Sequence, residues 1–170
     1  MIEGAAKDHQ SATPDWQILQ DLIDGVQVRE TKNVLTRKGV TTEIFRKGWA
    51  VNGTEVGAIK HFLLNPGAIV AWQMHEFQTD HIFVPSGTIK LVLYDGRENS
   101  TTNGRINVFH LGLLRPTLIG FPPGIWHGFQ NLSQEMSSFI NFCDTPYCYE
   151  NPDEWRLPPD TPKIPYRFST

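Results

Sequence analysis

Cysteine is nearly missing: Cys143 and Cys148 are the two thiols in 170 residues. No disulfide framework can hold such a chain, and a single spacing of four intervening residues is no metal-ribbon pattern. Two free thiols in a reducing compartment is the reading that fits. Long apolar runs are absent too. None approaches the roughly 20 residues that span a membrane, and Met1 to Gln10 has no apolar signal-peptide core, so the expected compartment is the cytoplasm. Neither sign of charge dominates, and the net charge of −3 offers no electrostatic footprint for nucleic acid. Hydrophobic residues make up 39% and charged residues 19%, which excludes a disordered chain and allows one domain with a real core over residues 1–170.

Helical periodicity is confined to one place. Thr13-Pro14-Asp15 reads as a cap, a first-turn proline and an acid at the positive helix end. Trp16, Leu19, Leu22 and Ile23 follow at helical spacing, and Gly25 ends the pattern. One short N-terminal helix is expected there. From Val26 on, runs of β-branched and aromatic residues alternate with Gly, Pro, Asn and Asp. The runs lie near 40–46, 57–64, 68–75, 81–85, 88–94, 105–111, 117–121, 127–132 and 136–142. About nine short strands at this spacing predict an all-β jelly-roll barrel with a core over about 40–142. The tail, 143–170, is rich in proline and aromatics. It is expected to wrap the barrel, because Tyr147, Trp155, Tyr166 and Phe168 would otherwise leave apolar area in water.

Polar side chains crowd one stretch, Gly67 to Gly87, where Gln73, His75, Asp80 and His81 sit between two extended apolar runs. Strand alternation puts Gln73 on the face of His75, with Trp72 and Met74 opposite. On the next strand Asp80, Ile82 and Val84 share one face, and His81 and Phe83 the other. Only a bulge could bring both Asp80 and His81 inward. A second stretch, Pro122-Pro-Gly124-Ile-Trp-His127-Gly-Phe-Gln-Asn131, makes a tight turn and then a strand carrying His127. The spacing of the two stretches resembles the two cupin motifs. Gln73, His75 and Asp80 fall on marked positions of the first, between Gly67 and Gly87. Pro122, Gly124, His127 and Asn131 match the second.

Within the cupins, Arg46 to Phe168 resembles dTDP-4-dehydrorhamnose 3,5-epimerase and its relatives in nucleotide-sugar modification. The resemblance rests on four ordered matches: Asp95-Gly-Arg97…Ser100…Gly104, Pro123-Gly124-Ile-Trp-His127-Gly128-Phe129, Thr145-Pro-Tyr147…Pro152-Asp-Glu154, and Asp160…Ile164-Pro-Tyr166. It implies a homodimer acting without a cofactor on a dTDP-type 4-keto-deoxy sugar. It also implies His75 as the base, Asp160 as the carboxylate that orients it, and Lys47, Gln73, Asp80 and His127 as substrate contacts. The departures are explicit. Where the family has a lysine that stabilises the enolate, this chain has Asp80. The family's tyrosine acid falls at Phe142 and a family arginine at Trp72. Its diphosphate-binding segment survives only as Phe45-Arg46-Lys47-Gly48.

Two alternatives stay open on the residues. His75, Asp80 and His127 are also a ligand set for a divalent metal, which would consume His75 as a base. A barrel that had lost its acid would be a non-catalytic sugar-binding cupin. Asp160, which follows two prolines, reads equally as a turn cap. His81, His61 and His110 read as structural, and Asp95 with Arg97 as a turn pair. A tyrosine of the tail, Tyr147 or Tyr149, is a candidate to reach back as the missing acid.

Overall fold

The computed structural model describes residues 2–15 and 18–169. Among these the chain forms strands β1 (Gln27–Glu30), β2 (Asn33–Thr36), β3 (Gly39–Thr42), β4 (Ala58–Leu64), β5 (Ile69–Met74), β6 (Asp80–Ser86), β7 (Thr88–Asp95), β8 (Ile106–Gly112), β9 (Thr117–Phe121), β10 (Ile125–Asn131), β11 (Ser137–Cys143) and β12 (Trp155–Arg156). One antiparallel sheet runs β1-β9-β6-β11-β4, the other β12-β5-β10-β7-β8, and β2-β3 is a separate hairpin. This is the expected jelly roll, and eight of the nine expected strands stand within two residues of their place. The run at 40–46 does not: its apolar residues are shared between the hairpin and Phe45, which stacks on Phe142 at 4.9 Å.

No α-helix occurs among the described residues. Part of the expected helix, Trp16 and Gln17, lies outside them. The rest takes another path: Ala12 bridges Ile18, and the Leu19 N–H donates to the Ser11 carbonyl. Side chains from the β8 side satisfy the backbone where helix bonds would have. Asn107 accepts from the Ile23 N–H and donates to the Asp21 carbonyl, and Arg105 donates to the Leu22 carbonyl. Of the described members of the periodic set, Leu19, Leu22 and Ile23, only Ile23 is buried, docked against the core. Local propensity lost to this tertiary bonding.

Most strands of the two sheets are covered on both faces, which is why they read as nearly continuous apolar runs; β4, at the edge of the first sheet, leaves Ile59 and Leu63 exposed. The inner faces meet in one core containing Ile82, Val84, Leu91, Ile119, Phe129 and Phe139. Outside the first sheet, Phe83, Leu118 and Phe142 pack with Phe45 and Trp49. Outside the second, Trp72, Val92 and Ile164 pack with Tyr166 and Phe168 from the tail. The tail crosses β5 as strand β12, pairing Trp155 with Met74 and Arg156 with Gln73, and Trp72 and Leu157 exchange backbone bonds of 2.8 and 3.1 Å. Tyr149 and Trp155 nevertheless stay mostly exposed, so the aromatic argument for wrapping holds for Tyr166 and Phe168 only.

Two polar devices fix the frame. Asp95 accepts from Arg97, Ser100 and Thr102, closing the 95–104 turn. Burial pushes its carboxyl upward, but these donors together hold it far below the usual carboxylate range. His81 is buried outside the first sheet. Its Nε2 accepts from the Val51 N–H at 2.8 Å, and its Nδ1 donates to the Phe142 carbonyl at 3.0 Å. That arrangement requires a neutral ring, and burial lowers its pKa despite the Phe142 carbonyl and Asp80. As the folded pKa lies below the unfolded one, the unfolded chain takes up the proton first. Stability is therefore full above about pH 6.5 and falls as the pH drops below it. Urea midpoints measured from pH 7.5 to 5 should show this fall. A His81→Asn variant should show a shallower one, and equal slopes would refute the assignment.

Candidate active site

At one end of the sandwich the sheets part around a cavity of about 120 Å³. The second sheet lends it Val70, Gln73, His75, His127 and Phe129, and the first lends Lys60, Phe62, Ile82, Phe139 and Asn141. Tyr147, Glu154 and Arg156 of the tail line it as well. A larger cleft of about 380 Å³ lies between the N-terminal segment and β8, but only His110 and Arg115 are titratable there, and Arg115 is paired with Glu30. The chemistry is concentrated in the smaller space.

The parity of β5 explains which residues arrive. Its ladder to β10 slips by one residue: His127 pairs with Gln73, but Phe129 pairs with Val70. Val70 and Gln73 thus both face the cavity, while Ala71 and Trp72 pack outside. On β6 the simple alternation holds: Asp80 turns inward and His81 outward. Gly124, with φ +82°, takes the left-handed turn that starts β10, and its N–H donates to the His75 carbonyl at 2.7 Å. The second motif is thereby tied directly to the first.

His75 follows the end of β5 and is held on two sides. Its Nδ1 lies against the backbone carbonyl of Asp153 in a very short contact. A carbonyl only accepts, so Nδ1 carries a proton, and in the neutral ring the lone pair sits on Nε2. The Asp153 carboxylate accepts from the N–H groups of Glu76, Phe77 and Gln78 at 2.7–3.0 Å, clamping the turn after His75. Burial pushes that carboxyl up, yet the three N–H donors and His75 bring it below its ordinary value. Asp144 pins the next residue, accepting from the Thr79 N–H.

His75 Nε2 lies 3.7 Å from Asp80 Oδ2. The other Asp80 oxygen accepts from the Gln78 and Asn141 amides at 2.6 and 2.8 Å. Asp80 is 2% exposed, so these donors replace the water it has lost. His127 stands 5.5 Å from His75, ring to ring, between Phe121 and Phe129. Its Nδ1 contacts the Ile125 carbonyl at 3.2 Å, so its Nε2 lone pair is free as well. Burial, reinforced by His75 and opposed by Asp80, brings its pKa down to about 4, which keeps the ring neutral at physiological pH. One nitrogen from each ring and one Asp80 oxygen lie within 4.8 Å of one another. Gln73, with its amide oriented to satisfy both groups, accepts from Arg156 at 3.0 Å.

Gln73, His75, Asp80 and His127 therefore converge, as the motif spacing predicts. Asp160 does not join them. It is exposed in the turn closed by the Thr161 N–H on the Pro158 carbonyl, and it makes no hydrogen bond to His75. Because β12 runs antiparallel to β5, the residue brought beside His75 is Asp153, and Asp80 supplies the nearby carboxylate. Lys47 also stands apart: it is 92% exposed, beside Glu55, in a surface depression with Phe45 and Val56. Phe142 faces outward in contact with Phe45, while its neighbour Asn141 faces the cavity. Sequence reasoning missed Lys60, Asn141, Asp153 and Arg156. A signal existed for Lys60, a lone charge at the alternate positions of β4 that also carry Phe62 and Leu64.

No protein-family profile matches the chain. A probable low-salt glycan biosynthesis epimerase, Agl13, of Haloferax volcanii is 36% identical over 139 residues, covering 81% of this chain and 89% of that one. The spore coat polysaccharide biosynthesis protein SpsL of Bacillus subtilis is 32% identical over 155 residues, covering 88% and 98%. Among solved structures, a dTDP sugar isomerase from Desulfovibrio desulfuricans superposes with a TM-score of 0.78 at 30% identity, covering 85% of this chain and 90% of that one. A dTDP-4-dehydrorhamnose 3,5-epimerase from Sulfolobus tokodaii gives 0.70 at 26%, covering 81% and 80%.

Proposed function

The chain belongs to the dTDP-4-dehydrorhamnose 3,5-epimerase-like family of nucleotide-sugar epimerases and isomerases, and we propose that it moves a proton at a carbon next to the ketone of a dTDP-type 4-keto-deoxy sugar. The reading takes the chain as a single-domain, cofactor-independent enzyme working as a homodimer. One observation carries it: His75 is among the residues lining the cavity, a backbone carbonyl fixes its Nδ1, and a buried carboxylate lies 3.7 Å from its Nε2.

In this reading Nε2 removes the proton, and the new Nε2–H turns to Asp80. An imidazolium–carboxylate pair at about 4 Å in a partly buried site gains about 4 kcal/mol. Asp80 then does for His75 what the family resemblance assigned to Asp160. Its own charge, which would repel an enolate, is cancelled as the imidazolium forms. Gln73, His127 and Arg156 contact the substrate. The test is incorporation of solvent deuterium into dTDP-4-keto-6-deoxyglucose. Exchange by the wild type is expected, and exchange at one carbon identifies isomerisation or single-site epimerisation. No exchange above the uncatalysed rate sinks the proposal.

A second reading has its own observation, the convergence of His75, Asp80 and His127 donors within 4.8 Å. Two imidazoles and one carboxylate are a set that suits a divalent transition metal, and backbone carbonyls on both Nδ1 atoms are the outer bonds such ligands use. A cation there would take up the Nε2 lone pair, so the two readings exclude each other. Metal analysis of protein purified without chelator separates them. A stoichiometric divalent ion lost in Asp80→Ala supports the metal; its absence supports His75 as base.

A further inference from the structure

We infer that Lys60 is a catalytic residue of this site, the cation that holds the ketone oxygen and takes up its charge as the enolate forms. The inference rests on the proton-transfer reading above and adds the electrophile which that reading lacks.

Abstraction of a proton beside a ketone sends an electron pair onto oxygen. The C–H pair becomes the enolate double bond, the carbonyl π pair moves to oxygen, and the proton rests on His75. A site that already holds Asp80 and Glu154 must supply positive charge at that oxygen. Two cations line the cavity, Lys60 and Arg156. Arg156 is committed: it donates to Glu154 at 2.6 Å and to the Gln73 amide oxygen. Lys60 makes no hydrogen bond or ion pair with the described residues, and its ammonium lies 5.5 Å from the centre of the Tyr147 ring. It is half-buried, in a wall shared with Phe62, Ile82 and Phe139. An ammonium so placed gives up part of its water without gaining an anion, unless a ligand brings one.

Placement agrees with the role. Lys60 pairs with Asn141 across β4 and β11, and Asn141 in turn holds Asp80. It stands on the sheet opposite the one that carries His75 and His127. A sugar ring lying between the sheets meets the base from one wall and the ammonium from the other. The charge that the first motif lacks at Asp80 thus enters from a different strand. Lys60 donates a hydrogen bond to the oxygen while His75 takes up the proton.

The test compares Lys60→Met, which keeps the length and removes the charge, with Lys60→Arg and the wild type. The readouts are deuterium incorporation into dTDP-4-keto-6-deoxyglucose and calorimetric binding of dTDP. Lys60→Met should lose about 10²- to 10³-fold in exchange, as removal of one oxyanion donor does elsewhere, with dTDP affinity within about twofold of wild type. Lys60→Arg should retain a measurable part of the rate. If Lys60→Met does not fold, as read by its unfolding midpoint, Lys60→Gln takes its place. Exchange within threefold of wild type, in enzyme whose His75→Ala variant is inactive, overturns the role of Lys60 and leaves the base in place. Equal losses of exchange and dTDP binding overturn it in favour of a nucleotide contact. No exchange by the wild type overturns both.

Discussion

His75→Ala is expected to lower deuterium incorporation into dTDP-4-keto-6-deoxyglucose about 10³-fold, within the range a general base contributes. The size of the effect follows from the lack of a substitute. His127 also has a free Nε2, but its pKa near 4 makes it far too weak a base for this proton. One oxygen of Asp80 is already taken up by two amides, and the other faces His75. Asp80→Asn keeps those contacts in part and removes the partner of the imidazolium, so it should lose less, about 10- to 10²-fold, mostly in kcat. Asp160→Asn should change nothing measurable, because that side chain is exposed and separate from the cavity. A His75→Ala enzyme exchanging as fast as the wild type would remove His75 from the mechanism. Full activity in Asp80→Asn would remove only its partner.

Trp72→Ala should cost about 3–5 kcal/mol of unfolding free energy, the range for deleting a large buried aromatic side chain. Trp72 is fully buried, the largest such side chain among the described residues, and sits under the tail with Phe168 and Tyr166 at 5.2 and 6.2 Å. Its indole N–H has no hydrogen-bond partner in the described structure. Trp72→Phe removes that unsatisfied donor and keeps most of the ring, so it should cost under about 2 kcal/mol. The two losses, measured by urea unfolding at pH 7.5, should differ clearly. Equal losses would mean that the ring contacts are not what holds the tail. The consequence reaches the site. Trp72 and Leu157 bind the tail to β5, and the same tail presents Asp153 to His75. Trp72→Ala should therefore also slow exchange, by loosening His75 rather than by removing a group that touches substrate.

The departures from the resembled family look different once the side chains are placed. Asp80 stands where the resemblance implies a lysine, but it lies beside His75, and an ammonium reaches the cavity wall from Lys60. Phe142 stands at the position matched to the tyrosine acid, yet it faces outward and Asn141 faces the cavity. Tyr147, on the tail segment that follows β11, lines the cavity, whereas Tyr149 is exposed. Trp72, matched to a family arginine, points to the opposite side of the sheet from the cavity. For Phe142 and Trp72 the difference is a matter of which way one strand faces. A shift of one residue reverses that direction, and the bulge on β5 produces one such shift.

Sequence by itself determined the strands and the first circle of the site. Short β-branched and aromatic runs set off by Gly, Pro, Asn and Asp marked the strands from β4 to β11, because those residues favour extended backbone and the others end it. Motif spacing brought Gln73, His75, Asp80 and His127 together, because each lies on or beside a strand whose inward face is fixed by its own apolar neighbours. Tertiary structure alone decided the rest. The N-terminal segment is no helix in its described part, because Asn107 and Arg105 bond its backbone from far along the chain. Asp153 rather than Asp160 meets His75, because the antiparallel pairing of β12 with β5 sets which tail residue arrives. The alternation of β4 turns Lys60 inward, but that it shares a cavity with His75 follows from the place of β4 two strands from β6 in the sheet, an order that no local pattern records. Local periodicity fixes the direction of a side chain; only the order and register of strands fix which side chains meet.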